Sequence, residues 1–200
     1  YGVTFEEFIA REKQASRLSS NLNNAYIKRA QCKDELKDYK GAILDYTKAI
    51  ELGKTQNDNC FHNRGHLKKE LKDYKGAILD YTKAIELKPK KSSYYNSRAV
   101  SKQRLKDYKG AISDYSKSIE LDNNFMTYFN RATLKVLLKD YKGAITDFTL
   151  SIEYNKPRFN LANTYIQRGL AKMKIGITYC SDFKKAMKLG RLEQFNKYCN

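Results

Sequence analysis

The segment ELKDYKGAILDYTKAIEL occurs twice in the chain without a single difference, at residues 35–52 and again at residues 70–87. Two similar segments follow, LKDYKGAISDYSKSIEL at 105–121 and LKDYKGAITDFTLSIEY at 138–154. The glycine that all four segments share recurs at intervals of 35, 34 and 33 residues. A period in this range is typical of proteins that stack one supersecondary unit many times.

Each of these segments is predicted to form a helix. In the first segment the apolar positions, spaced three or one residues apart, fall on one helical face, and they are Tyr39, Ala42, Ile43, Tyr46, Ala49 and Ile50. Asp38 stands directly before this run, where a residue that caps a helix N-terminus belongs.

A second predicted helix precedes each segment. The four sequences are NAYIKRAQCKDEL (24–36), NCFHNRGHLKKEL (59–71), SYYNSRAVSKQRL (93–105) and MTYFNRATLKVLL (126–138). Each contains an aromatic residue, such as Tyr26, and four residues later a small residue, such as Ala30, on the same face. Each unit is therefore a helical hairpin with one apolar side, which it buries only by stacking on its neighbours.

This two-helix pattern resembles the tetratricopeptide repeat family. The positions that carry the resemblance in the second helices are Ala42, Tyr46, Ala49, Ala77, Tyr81, Ala84, Ala111, Tyr115, Ser118, Ala144, Phe148 and Ser151. Pro89 stands where the family often places a proline between repeats. The resemblance implies an all-α fold, a right-handed α-solenoid superhelix of about five helix pairs with a further helix at each end.

The sequence divides into a leading segment, five repeats and a closing segment. The predicted repeats are 25–57, 58–91, 92–124, 125–157 and a degenerate 158–188, whose inter-helix segment is two residues shorter. Residues 1–24 are predicted as a leading helix, because Thr4 and Glu7 form a capping box over helical residues 4–20. The alternative is the second helix of a truncated upstream repeat. Residues 189–200 are predicted as a C-terminal capping helix.

Bulk composition narrows the class of protein. Apolar residues make up 41% and charged residues 30% of the chain, and no apolar run is long enough to span a membrane. The cysteines, Cys32, Cys60, Cys180 and Cys199, lack C-x-x-C spacing, which predicts neither a disulfide framework nor a zinc site. We therefore expect a reducing, cytoplasmic location, although the sequence does not begin with Met and a removed leader stays open.

Charged residues recur in register beyond the family pattern. An arginine precedes the small residue of every first helix, and an aspartate precedes the aromatic residue of every second helix. These are Arg29, Arg64, Arg98, Arg131, Arg168 and Asp45, Asp80, Asp114, Asp147, Asp182. Because a counter-charge accompanies every arginine, we predict ion pairs between the two helices. The alternative is a row of anion-binding arginines.

The resemblance also implies a binding groove, since first-helix side chains of the family line a concave surface that binds peptides or partner helices. The corresponding residues here are His62, Asn63, His66, Asn96, Val100, Arg104, Met126, Phe129, Asn130, Thr133, Leu137, Asn163, Ile166, Gln167, Leu170 and Met173. The later ones are rich in Met and aromatic or aliphatic residues, which suits an apolar anchor. We predict a protein partner that is acidic or neutral, bound mainly by repeats three to five.

Other functions have weaker support in the sequence. His62 and His66 lie four residues apart, but there is no third histidine, so no metal or other cofactor is predicted. No phosphate loop or nucleophile motif indicates an enzyme. The net charge of +17 leaves nucleic acid or an anionic surface as an alternative partner. The chain could also be the interaction domain of a longer protein.

Overall fold

The computed structural model describes residues 5–53, 57–155, 160–191 and 198–199. This part of the chain contains ten α-helices and no β-strand. The helices are Phe5–Glu35 (α1), Tyr39–Leu52 (α2), Asp58–Glu70 (α3), Tyr74–Leu87 (α4), Ser92–Arg104 (α5), Tyr108–Leu121 (α6), Phe125–Leu137 (α7), Tyr141–Tyr154 (α8), Leu161–Met173 (α9) and Cys180–Lys188 (α10). The all-α prediction is confirmed.

The chain forms two compact units, Tyr1–Lys90 with α1–α4 and Lys91–Asn200 with α5–α10. Within each unit every helix packs on the next one along the chain. Short connections between packed neighbours make successive helices antiparallel. The connections α5–α6, α7–α8 and α9–α10 therefore lie at one end of the second unit, and the connections α1–α2 and α3–α4 at one end of the first.

The same short connection joins the two helices of each of the first four repeats. In the first, Lys37 adopts left-handed backbone geometry with φ 61°, the N–H of Lys37 donates to the carbonyl of Asp34, and the N–H of Asp38 donates to that of Lys33. These two bonds form a Schellman motif that ends α1. The carboxylate of Asp38 then accepts from the N–H of Gly41 at 3.0 Å and caps α2, as predicted. One aspartate thus ends one helix and starts the next.

The small residues allow two different close approaches. A Cβ added to Gly41 would lie 2.1 Å from Oδ2 of the capping Asp38, so this cap geometry requires a residue without a side chain. A Cβ added to Gly65 would lie 3.0 Å from the ring of Tyr81, the core residue of the partner helix. The small residue of the first helix is therefore where the two helices of a repeat approach each other, as the sequence predicts.

The core of each repeat consists of the residues that the resemblance assigned to it. Tyr46, Tyr81, Tyr115 and Phe148 are each at most 1% exposed. Serine replaces alanine in the third and fourth repeats, and the hydroxyl of Ser151 donates to the carbonyl of Phe125 at 2.9 Å. The hydroxyl is thereby satisfied inside the core.

The structure differs from the predicted leading helix at residues 4–20, because α1 continues without a break from Phe5 into the first repeat and ends at Glu35. The polar residues between the two predicted helices do not interrupt it. The hydroxyl of Ser19 donates to the carbonyl of Leu52, and the amide of Asn23 donates to the carbonyl of Ala49, both in the last turn of α2. These side chains cap the neighbouring helix instead of ending their own. Thr4, of the predicted capping box, lies outside the described residues.

The fifth repeat is shortened in its second helix and not in its connection. Six residues, 174–179, separate α9 from α10, and α10 has 9 residues where α8 has 14. Most of the predicted closing helix at 189–200 lies outside the described residues. Tyr198 stacks on Phe183 of α10 with ring centroids 5.1 Å apart.

A disulfide joins Cys180 to Cys199, so the prediction of unpaired cysteines is wrong for this pair. The two residues are 19 positions apart and lack any motif spacing, and Tyr198, the neighbour of Cys199, packs on Phe183 of α10. Cys32 and Cys60 are free. Because disulfides persist in oxidising compartments, the basis for expecting a reducing, cytoplasmic location is removed.

Candidate peptide-binding surface

The predicted arginine–aspartate pairs form in all five repeats. In the fourth repeat Arg131 donates from Nε to Oδ2 of Asp147 at 2.9 Å and from Nη2 to Oδ1 at 2.7 Å, a bidentate pair. The guanidinium carbon lies 5.7 Å from the ring centroid of Tyr128, one turn earlier on the same helix. The Asp147 side chain is only 2% exposed, so the pair is held between the helices. The ion-pair prediction is confirmed.

A lysine completes each of these clusters. Nζ of Lys135 lies 2.8 Å from Oδ2 of Asp147, and Lys33, Lys68, Lys102 and Lys172 make the same contact in the other repeats. The sequence signal was available, since each lysine follows its arginine by four residues and therefore shares its helical face. With their donors committed to aspartate, the arginines of repeats two to five do not form the alternative anion-binding row.

The clusters alter the ionisation of their carboxylates. The hydrogen bond from Arg29, with a smaller contribution from Lys33, lowers the pKa of Asp45 to about 2 against the opposing effect of burial. Burial raises the pKa of Asp182, but the hydrogen bonds from Arg168 and Lys172 outweigh it and hold that pKa below its ordinary value. Both carboxylates are therefore charged at neutral pH.

The first unit contains three of the predicted surface residues. His62 is partly buried with its ring 5.5 Å from that of Tyr81, and Asn63 donates to the hydroxyl of Tyr46 at 3.2 Å. His66 is exposed, and its Nε2 lies 3.8 Å from Oε1 of Glu70. Among the residues that the structure describes, no group of three His, Cys, Asp or Glu side chains is arranged to hold a metal ion.

The predicted asparagines are largely committed to intramolecular contacts. In the second unit Asn96 donates to the hydroxyl of Thr127 at 2.9 Å. Burial raises the pKa of the Tyr115 hydroxyl, and a hydrogen bond with Asn130 opposes that effect. Asn163 is partly buried. The amides of Asn63, Asn96 and Asn130 thus connect neighbouring helices, which sequence spacing alone did not reveal.

The remaining predicted residues of the second unit divide into surface and core. Met126 is 48% and Leu137 56% exposed, and Arg104 is also exposed. The partly buried residues are Val100, Phe129, Thr133, Gln167, Leu170 and Met173. Ile166 is only 8% exposed and packs with Phe183 and Ala186, so the structure places it in the core of the last repeat and not on the predicted surface.

An apolar concavity lies between α7 and the beginning of α9, and we call it the α7 concavity. It is lined by Phe125, Met126, Phe129, Asn160 and Thr164, and its volume is about 30 Å³. That volume is enough for about two water molecules, or for the end of one small aliphatic side chain. Phe129 forms one wall and is itself held edge-on against the core residue Phe148, with ring centroids 5.6 Å apart.

Two of the concavity's wall residues were predicted and three were not. Phe125 lies four residues before Phe129 and so shares its helical face, a signal that was present in the sequence. Asn160 and Thr164 approach from the next repeat, and their position depends on how α9 packs on α8.

None of the described helices is both long and apolar enough to cross a membrane.

Solved structures share this architecture. The chain superposes on the crystal structure of MamA protein with a TM-score of 0.78 and 21% identity, covering 90% of this chain and 97% of that one. For YrrB, a TPR protein with an unusual peptide-binding site, the TM-score is 0.65 and the identity 19%, covering 85% of this chain and 82% of that one. For the first TPR of Spaghetti (RPAP3), bound to the HSP90 peptide SRMEEVD, the TM-score is 0.56 and the identity 23%, covering 60% of this chain and 94% of that one. A comparison with curated proteins finds no match.

Helical hairpins stacked in sequence order, each with a buried aromatic residue against a small one, define a repeat protein of the helical-hairpin class. The family profile of the tetratricopeptide repeat matches residues 24–53, 59–91 and 92–125. The chain belongs to the tetratricopeptide repeat family. This is a family of protein-interaction repeats, and the fourth and fifth helix pairs extend the array beyond the matched residues.

Proposed function

We propose that the chain is a non-catalytic scaffold that binds a peptide segment or partner helix on its second unit, with the α7 concavity as the anchor site. The observation that carries the proposal is the apolar lining of this concavity on a surface where Met126 remains 48% exposed. Exposed apolar lining of this kind is typical of sites that bind another molecule.

The size of the concavity indicates which side chain it accepts. A volume of about 30 Å³ suits the end of one Leu, Ile, Val or Met side chain and is too small to enclose an aromatic ring. The flexible Met126 adjusts its own conformation to the anchor, as methionine does at binding surfaces. We therefore expect one aliphatic anchor residue in the bound segment.

Charge favours an acidic partner. Residues 91–200 contain 21 Lys and Arg against 9 Asp and Glu, which gives the second unit +12 of the total charge of +17. The basic surface should accelerate association with an acidic peptide and make it sensitive to salt. Two similar proteins support the same class of partner, since YrrB has a peptide-binding site and the Spaghetti repeat domain is bound to a peptide.

Selection of a displayed random peptide library on the full chain, followed by fluorescence polarisation with the enriched peptides, tests this proposal. We expect enriched peptides to contain one aliphatic residue flanked by acidic ones. Met126→Ala and Phe129→Ala should each weaken binding by about tenfold or more, as for central contact residues. Leu105→Ala is the matched control, since Leu105 is a similarly exposed apolar residue, 41% exposed, outside the concavity. Equal affinity for all three variants would contradict the proposal.

A second candidate is supported by exposed lysines at the connections of the second unit. Lys106, Lys109, Lys139 and Lys142 are exposed and make no ion pair among the described residues. Such a set suits a polyanion, and binding of single-stranded RNA homopolymer would then fall steeply as salt rises. If the homopolymer binds at physiological salt more tightly than any selected peptide, this candidate replaces the peptide scaffold.

A further inference from the structure

Within each compact unit, the arginine clusters also join a repeat to the preceding one. Nη1 of Arg64 donates to Oγ1 of Thr47 at 3.0 Å, Nη1 of Arg131 to Oγ of Ser116 at 2.9 Å, and Nη1 of Arg168 to Oγ1 of Thr149 at 3.0 Å. In each case the hydroxyl belongs to the second helix of the preceding repeat, one residue after its buried aromatic residue. We call this contact the arginine–hydroxyl joint.

The helical backbone prepares the hydroxyl for this contact. Thr47 donates its proton to the carbonyl of Ile43, Ser116 to that of Ile112, and Thr149 to that of Ile145, all at 2.8 Å. With the proton directed into its own helix, the oxygen presents its lone pairs outward as an acceptor. A serine or threonine in a helix is therefore the matching half of the joint.

Arg29 in the first repeat has the same cluster without the joint. It donates to Asp45 from Nε at 2.8 Å and from Nη2 at 2.6 Å, and its guanidinium lies over the ring of Tyr26. Its Nη1 has no hydroxyl partner among the described residues. The Arg29 side chain is 59% exposed, compared with 15% for Arg64 and 11% for Arg168.

The helical face next to Arg29 is open along its length. Leu22, Ala25, Tyr26 and Arg29 line a concavity on α1, and Leu18, one turn earlier on the same face, is 63% exposed. We call these five residues the α1 face. Ala25 is exposed, whereas its counterparts in later repeats, Cys60 and Thr127, are 2% and 1% exposed because α2 covers α3 and α6 covers α7. The α1 face is thus a stacking surface that no described helix covers.

We infer that the α1 face docks an amphipathic helix of another protein whose Ser or Thr hydroxyl accepts a hydrogen bond from Nη1 of Arg29. The apolar side of that helix covers Leu18, Leu22 and Tyr26, as a preceding second helix would. Exposed Arg17 and Lys28 lie beside this face, so acidic residues flank the apolar side of the partner.

The described residues of this chain do not supply the docked helix. Because α1 is continuous from Phe5 to Glu35, no preceding helix enters through a short turn near residue 24, as occurs at the other repeats. The joint hydroxyls of Thr47, Ser116 and Thr149 are already occupied. The last helix, α10, has Lys184 where the hydroxyl would stand, which would place a cation against Arg29. Thr82 of α4, the remaining hydroxyl at this position, also has a contact of its own within the chain. A second copy of the chain in this fold therefore offers no matching hydroxyl.

The test uses a known hydroxyl-bearing helix as the probe. A helix-stabilised, fluorescent peptide with the sequence of residues 73–88, DYKGAILDYTKAIELK, carries the Tyr–Thr pair of α4. We expect it to bind the full chain, and to bind about tenfold more weakly when its threonine is replaced by valine, since a hydrogen bond to a charged group is lost. In the protein, Arg29→Lys keeps a cation beside Asp45 but removes the second donor, and should weaken the unmodified peptide to a similar extent.

Controls separate the α1 face from other sites. Leu22→Glu should abolish binding, while Leu79→Glu, at a leucine that is 72% exposed on α4, should leave it within about twofold. Phe129→Ala should also have no effect, so failure here is distinguishable from failure of the proposed peptide site. No binding at about 1 mM peptide, equal binding of the threonine and valine peptides, or binding that survives Leu22→Glu through exchange with α2 would each overturn the inference.

Discussion

The replacement Asp147→Asn tests how much the charge clusters stabilise the fold. Asp147 is 2% exposed and accepts from two nitrogens of Arg131 and one of Lys135, at 2.7–2.9 Å. The asparagine has nearly the same shape but no charge, so both cations lose their counter-ion while their side chains stay 15% and 20% exposed. Breaking a buried pair by removing one partner costs about 3–5 kcal/mol, and the partial exposure of the cations places the expected loss at about 3 kcal/mol.

Urea denaturation followed by circular dichroism measures this loss, which corresponds to a fall in Tm of about 6–12 °C for a chain of this length. The double-mutant cycle with Arg131→Gln separates the interaction from each residue's other contacts. We expect the double variant to be more stable than the sum of the single losses predicts, by about 1 kcal/mol or more. Glu120→Gln is the matched control, because Glu120 pairs with Lys117 at the surface with its side chain 62% exposed, and should change stability by about 0.5 kcal/mol at most. Additive losses would refute the pairing argument, and so would a loss no larger than that of Glu120→Gln.

Three further predictions follow from local geometry. Lys106 has φ 64°, and Lys106→Gly should raise the free energy of unfolding by about 0.5–1 kcal/mol in urea titrations, because glycine adopts this left-handed conformation without strain; a destabilised variant would contradict this. Replacing both Cys180 and Cys199 by serine should lower the free energy of unfolding by about 3 kcal/mol, the value for a loop of this length, whereas a Cys32→Ser control should not. The pKa of Asp45 is lowered to about 2 by Arg29, so its contribution to stability is complete above the unfolded-state pKa near 4 and is lost as the pH falls through about 2. Acid titration of the wild-type chain and of Asp45→Asn should therefore give stability curves that converge in this window, and parallel curves would contradict the assignment.

The repeat architecture could be predicted because its determinants are local and recur in phase. Asp38, Gly41 and Tyr46 each have counterparts in every one of the first four repeats, and each position has one physical role: cap, close approach and core. Because each position occurs in four repeats, a role assigned wrongly in one repeat would conflict with the same position in the other three. The arginine–aspartate pairs were predictable for the same reason, since both partners keep a constant separation of 16 residues in these repeats.

The features that the sequence did not predict depend on contacts between residues that are distant in sequence. Each of these contacts occurs once in the described part of the chain and is not repeated from one helix pair to the next. The continuity of α1 depends on Ser19 and Asn23 reaching the end of α2, which no local pattern of polar residues reveals. Cys180 and Cys199 pair across 19 positions without a motif, next to the contact of Tyr198 with Phe183. Ile166 occupies a first-helix position of the kind that lines a groove in the family, yet it is buried in the shortened last repeat. The predicted surface therefore needed the structure to separate exposed residues such as Met126 from buried ones.

The arginine–hydroxyl joint has a consequence for how such a chain lengthens. Each of the first four repeats carries both halves of the joint, the arginine on its first helix and the hydroxyl on its second, and Arg64 and Thr47 show how the halves meet across one boundary. A tandem duplication of one whole repeat therefore inserts a segment whose two ends already match their new neighbours. A duplication of a single helix of the repeat does not. Growth by unequal recombination is thus tolerated in steps of one full period, which fits the survival of two identical stretches in adjacent repeats.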